Sequence, residues 1–211
     1  FIFFKTSLYR YFLPVMKFDM SICQLNFIIQ SLLEIKGAGN VLEIGVGGGS
    51  TSIIINQIIK QAALNRKYIA IDTFSGFTDE DISYEHNYRG KSNKFEAYQS
   101  NSKEWFEKTL IAHDIHDAVI IKSDCKEENY EKIGPIAFCL FDVDLYLPTK
   151  EVLPVVYQCL IPGGVIIVDD CDPLHPFYDG AGQAYREFCK DMGVQPMISY
   201  QKLGIIKKPI N

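Results

Sequence analysis

The chain has 211 residues, 47% hydrophobic and 22% charged, enough for one sizeable domain and too few for two. A formal net charge of -5 excludes nonspecific nucleic-acid binding, which needs a basic face, and leaves a small-molecule partner open. Six scattered cysteines with no CxxC pair read as reduced thiols of a cytoplasmic protein rather than disulfides or zinc ligands.

The chain opens on an apolar, aromatic stretch, "FIFFKTSLYRYFLPVMKF", interrupted by Lys5 and Arg10. It is too short to span a bilayer, lacks the order of a signal peptide and does not begin with Met. Residues 1–38 are expected to form a helical segment that packs on the body, on a second subunit of a homo-oligomer, or over the active site. Residues 40–211 are expected to form the core.

From there the pattern alternates. "NVLEIG" is a short apolar run ending in glycine, and "STSIIINQIIKQAALN" follows with helical spacing. "KYIAID" is the next apolar run. Then comes a polar insertion with aromatic residues, "DEDISYEHNYRGKSNKF", whose length in a compact domain suggests a lid loop. "SKEWFEKTLIAH" reads as a helix and "AVIIKSD" as a strand. "PIAFCLFDVD" is a fourth strand, "TKEVLPVVYQCL" a helix, and "GGVIIVDD" a fifth strand. "GAGQAYREFCKDM" is helical, and "MISYQKLGIIKK" closes the chain as a hairpin. Continuous apolar strands alternating with helices predict an α/β fold with a doubly wound, mostly parallel sheet and an antiparallel C-terminal hairpin. No internal repeat or low-complexity linker interrupts it.

In such sheets ligands bind beyond the carboxyl ends of the strands. Here those ends carry the polar chemistry: Glu43 and the glycines, Asp72, Ser123 and Asp124, Asp142 and Asp144, Asp169 and Asp170. In "VLEIGVGGGSTS", Gly45, Gly47 and Gly49 permit a tight turn, and the helix starting near Ser50 and Thr51 points free N–H groups forward. The spacing is G-x-G-x-G rather than the G-x-G-x-x-G of a pyrophosphate turn. Glu43 would sit badly beside a diphosphate and well beside a cationic ligand such as S-adenosylmethionine. Asp72, followed by Thr73, ends the second strand, where an acid can hold a ribose. Ser123 and Asp124 would flank an adenine. The carboxylates of "FDVDLY" and "VIIVDDCD" either bind a hard cation or open turns, and spacing alone does not separate these.

Together, "VLEIGVGGGSTS", "AIDTFSGF", "FDVDLYLPT" and "LIPGGVIIVDDC" resemble the macrocin O-methyltransferase (TylF-like) family of class I S-adenosylmethionine-dependent enzymes over residues 40–188. The resemblance implies the class I methyltransferase fold, S-adenosylmethionine and magnesium as cofactors, and methylation of a hydroxyl on a sugar or glycosylated small molecule. It also implies Asp142, Asp169 and Asp170 as metal ligands, with the cofactor held by Glu43, the glycine turn and Asp72, beside Asp142. The family pattern "DGDLYEST" reads "DVDLYLPT" here, changed at Val143, Leu147 and Pro148. Leu145 and Tyr146 stand where some relatives carry a histidine base, so Asp142 or Asp144 becomes the candidate base. Of the histidines, His113 and His116 are expected on the surface, while His86 and His175 are candidates for the pocket rim, as are Tyr84, Tyr88 and Arg89. Neither a membrane nor a nucleic-acid partner is expected. The competing readings are a dinucleotide oxidoreductase, a catechol-type O-methyltransferase, and a non-catalytic nucleoside-cofactor-binding protein.

Overall fold

The computed structural model describes residues 20–175 and 177–210; the leading stretch, residues 1–18, lies outside them. Helix α1 (Ile22–Glu34) begins at Ser21, whose hydroxyl accepts from the Gln24 backbone while the Gln24 side chain accepts from the Ser21 backbone. Such a reciprocal cap satisfies two of the free N–H groups of a helix start. Five strands alternate with helices from there: β1 (Asn40–Ile44), α2 (Ser50–Gln61), β2 (Tyr68–Asp72), α3 (Asp79–Asn87), α4 (Lys103–Ala112), β3 (Val119–Lys122), the short α5 (Tyr130–Ile133), β4 (Ile136–Phe141), α6 (Tyr146–Cys159) and β5 (Leu160–Val168). Helix α7 (Gly180–Asp191) and the hairpin β6 (Met197–Ser199) and β7 (Leu203–Lys207) follow.

The seven strands form one sheet in the order β3-β2-β1-β4-β5-β7-β6. β1, β2, β3, β4 and β5 pair in parallel, and β7 pairs antiparallel with both β5 and β6. The order reverses between β1 and β4, which opens a crevice there at the carboxyl edge. Apolar side chains cover both faces, as the runs of Val, Ile and Phe require. Val41, Phe138 and Leu140 pack with α1, α2 and α4; Leu42, Cys139 and Phe141 pack with α6 and α7 on the other face.

One segment departs from the sequence reading. The polar insertion after β2 is not a lid loop throughout, because residues 79–87 are helical. It lacks an apolar period. Its helix rests on the Thr78 cap and on Asp79, Glu80 and Asp81 in the first turn, where negative charge suits the helix dipole. The six cysteines are free thiols, as expected. Among the described residues no helix is long and apolar enough to cross a membrane.

The backbone at the crevice leaves no slack. Gly45 has φ +80°, and a Cβ there would lie 1.7 Å from the Asp142 carbonyl oxygen. Gly45→Ala is therefore expected to destabilise the protein by about 3 kcal/mol, through an unfavourable φ and overpacking between β1 and β4. Urea denaturation checks this, with Gly48→Ala as the control, since a Cβ at Gly48 meets nothing within 4 Å.

Candidate active site

An open cleft lies over the crevice, at the edge of the sheet where such folds bind ligands. At one end the glycine turn, Ser50 and Thr51 from the start of α2, and Asp72 and Thr73 line it. Asp72 is fixed rather than loose: its Oδ2 accepts from the Val46 N–H at 2.8 Å and its Oδ1 from the Phe74 N–H at 2.6 Å. Each oxygen retains capacity for a further donor, such as a ribose hydroxyl. Ser123 and Asp124 line the cleft beyond β3, with Asp124 capping a short 3-10 turn. All of these residues line one cleft.

Glu43 requires a correction. It was expected to contact the cofactor, but it is fully buried and does not line the cleft. Thr51 Oγ1 donates to its Oε1 at 2.5 Å, and the Tyr68 hydroxyl donates to its Oε2. Its side chain thus ties β1 to the first turn of α2 and to β2, behind the glycine turn. Burial pushes its pKa from 4.5 up to about 7, outweighing the two hydroxyl donors.

Beyond β4 and β5 the acids converge. Carboxylate oxygens of Asp142, Asp144 and Asp170 lie within 4.8 Å of one another. Asp144 and Asp170 adopt left-handed backbone, φ 62° and 53°, which aspartate tolerates better than most residues. Asp169 sits beside this group on the cleft wall, ion-paired at 2.7 Å to Lys202, with its Oδ1 buried and without a partner. The convergent triad therefore contains Asp144, whereas the sequence expectation named Asp169; alternation on the extended chain cannot foresee the left-handed turn that brings Asp144 inward.

Burial, then mutual repulsion, raises these carboxyl groups above the ordinary range: Asp142 and Asp144 strongly, Asp169 to about 6. Asp144 and Asp170 face each other within this group. The donor set is all oxygen, as a hard cation prefers, and the crowded carboxylates with the unpartnered Asp169 Oδ1 beside them are what such a cation would neutralise. The residues present fit magnesium.

The remaining rim candidates are bound up in structure. Arg89 pairs with Glu85 at 2.6 Å and Asp179 at 3.0 Å and lies over the Tyr146 ring. Glu85 in turn accepts from the Tyr146 N–H at 2.8 Å, capping α6 and fastening α3 to it. Tyr84 stacks on Tyr146 and Tyr88. His86 bonds to the Asn93 carbonyl, and His175 Nδ1 accepts from the Tyr178 N–H at 2.8 Å, closing its own loop. His113 and His116 are exposed, as expected. Phe77, Thr78, Asp81 and Tyr98 line the cleft without having been singled out, although Phe77 lies in the quoted "AIDTFSGF".

This sheet order, with a glycine turn at the reversal point and an acid ending β2, is that of a class I methyltransferase. Residues 16–205 match the model of the macrocin-O-methyltransferase (TylF) family, and the chain belongs to that family of S-adenosylmethionine-dependent O-methyltransferases. It is similar in structure to the O-methyltransferase NovP, with a TM-score of 0.73 and 19% identity over 90% of this chain and 81% of that one. It is also similar to CalS11, a calicheamicin methyltransferase (TM-score 0.68, 20% identity, 88% of this chain and 77% of that one). A third is TomG of Streptomyces achromogenes, involved in tomaymycin synthesis and solved with S-adenosylmethionine (TM-score 0.57, 16% identity, 96% of this chain and 86% of that one). No curated protein matches the chain.

The Glu43 geometry predicts a pH effect. A carboxyl raised from 4.5 to about 7 on folding contributes stability that is full below 4.5 and lost as pH rises through 7. Glu43→Gln carries no charge to desolvate. Relative to it, the wild type should lose about 3 kcal/mol between pH 4.5 and pH 8, measured by urea denaturation at each pH. A constant difference across that range would show Glu43 to be ionised throughout.

Proposed function

We propose that the protein transfers a methyl group from S-adenosylmethionine to a hydroxyl of a sugar or glycosylated small molecule, with magnesium in the acid cluster. The observation that carries this reading is the convergence of Asp142, Asp144 and Asp170 within 4.8 Å, beside a cleft that the glycine turn and Asp72 shape for a nucleoside. The sugar follows from the family and from CalS11, which is described as a TDP-rhamnose 3'-O-methyltransferase of calicheamicin biosynthesis.

S-adenosylmethionine, when bound, supplies an electrophilic methyl group on sulfur. Asp72 would accept the ribose hydroxyls, and the glycine turn would let the backbone approach the cofactor closely. Asp124 and Ser123 would border the base. Asp142 lines the same cleft as the glycine turn, so it joins the cofactor end to the acceptor end. Asp142 and Asp170, from neighbouring strand ends, would hold the metal ion, which when bound makes a nearby hydroxyl more acidic and fixes its position. Asp144 would take the acceptor proton. Its carboxylate lines the cleft within the same group as Asp142 and Asp170, which puts it within reach of an acceptor held there. An acceptor oxygen aligned there would gain the methyl group as its bond to sulfur breaks and S-adenosylhomocysteine leaves, and alignment itself would supply much of the rate.

Asp144→Asn and Asp170→Asn test this reading. Each is expected to lower methyl transfer to a sugar-bearing acceptor by about 100-fold or more while leaving S-adenosylhomocysteine affinity within about threefold. The assay follows labelled methyl groups into a panel of sugar and catechol acceptors. Wild-type turnover by both variants would overturn the roles given to these acids, and transfer to catechols alone would overturn the acceptor class.

A further inference from the structure

One cation already reaches the acid cluster, and it belongs to the chain. Lys202 lies in the turn between β6 and β7, at a position that neither the sequence motifs nor the family likeness mark. The turn is anchored on two sides. Gln24 Nε2 on α1 donates to the Tyr200 carbonyl at 2.9 Å, and the Cys171 N–H donates to the Lys202 carbonyl at 2.7 Å. Tyr200 and Gln201 both hold left-handed backbone, φ 49° and 73°, without a glycine. Lysine ordinarily keeps its ammonium in water. Here the side chain is only 21% exposed, and Nζ lies 2.7 Å from Asp169 Oδ2 and 3.4 Å from Asp170 Oδ1.

Asp170 is therefore shared. One side of its environment is Lys202; the other is the group it forms with Asp142 and Asp144. We propose that Lys202 is a tethered counter-charge that competes with the divalent cation for Asp169 and Asp170. This rests on the reading that a divalent cation works in this cleft.

The argument is one of charge and place. Among the described residues one ammonium, that of Lys202, serves Asp169 and Asp170, while Asp142 and Asp144 have no ion pair, so a divalent ion still finds carboxyl oxygens to bind. Without Lys202, Asp169 would be a buried charge with no ionic partner, a costly state. With Lys202, Asp169 is satisfied on Oδ2, and the metal-free protein tolerates its acids. The same positive charge opposes entry of the cation. Lys202 is a positioning residue on this account: it sets which acids are free to coordinate and how tightly.

Manganese, followed by loss of its free-ion electron paramagnetic resonance signal, probes this in the whole chain. Lys202→Met is expected to bind Mn2+ at least about tenfold more tightly than the wild type, because a nearby repulsive charge is gone and Asp169 is released. Lys202→Arg, which keeps the charge, should stay within about threefold of the wild type. Metal-free Lys202→Met should melt at a lower temperature, and added Mn2+ should reverse most of that loss. Should Lys202→Met not fold, Lys202→Gln replaces it under the same tenfold criterion, since it keeps a hydrogen bond to Asp169 without the charge. If the wild type binds Mn2+ and the uncharged variant binds equally or more weakly, the counter-charge proposal is wrong and the cation reading stands. If neither binds Mn2+, both fall.

Discussion

Repulsion among the carboxylates gathered beyond β4 and β5 is the constraint that the rest of this structure answers. The sheet delivers Asp142 and Asp169 to adjacent positions because each strand hands its next N–H to its neighbour: the Asp142 N–H donates to the Ile44 carbonyl at 2.8 Å and the Asp169 N–H to the Phe141 carbonyl at 2.9 Å. Like charges so placed cannot all ionise freely in a half-buried cleft. The protein meets this with an ion pair from Lys202 and a geometry that suits a cation. The left-handed backbone at Asp144 and Asp170 belongs to the same solution, since it turns both side chains into the group.

The other half of the cleft answers a different demand. A nucleoside cofactor needs close backbone approach and a few fixed polar groups. Gly45 lets β1 and β4 meet with no room for a side chain, and Asp72 is held by two backbone donors so that its remaining lone pairs face the cleft edge. Glu43 supports this from behind, through Thr51 and Tyr68. The two halves meet at Asp142, whose carbonyl packs on Gly45 and whose carboxylate joins the triad. The order of the strands therefore puts the glycine turn, Asp72 and the acids in one cleft.

Much of this was legible in the sequence because it follows from short-range rules. Apolar runs ending in acids locate strand ends, and strand ends in a parallel sheet locate the ligand edge. The strands from "NVLEIG" to "GGVIIVDD" and the closing hairpin all form where the pattern placed them. What the pattern could not carry was direction. Glu43 stands where a cofactor contact would be expected, yet β1 points it into the interior toward Tyr68. Asp144 rather than Asp169 converges with Asp142 and Asp170, through backbone turns that residue spacing does not encode. Helix α3 escaped notice because it is held by capping and acidic first-turn residues rather than by an apolar stripe. Lys202 was invisible because its partners are more than thirty residues away along the chain.

The central claim is that the cofactor half of the cleft works without a metal ion and the acceptor half does not. Its most direct test is methyl transfer with chelator present and then with magnesium restored, alongside calorimetric titration of S-adenosylhomocysteine in the same two solutions. The account predicts that chelation lowers transfer by about 100-fold or more, that magnesium restores it, and that S-adenosylhomocysteine affinity changes by less than about threefold. Full transfer in chelator would contradict it, and the acid cluster would then have to act through its protons alone.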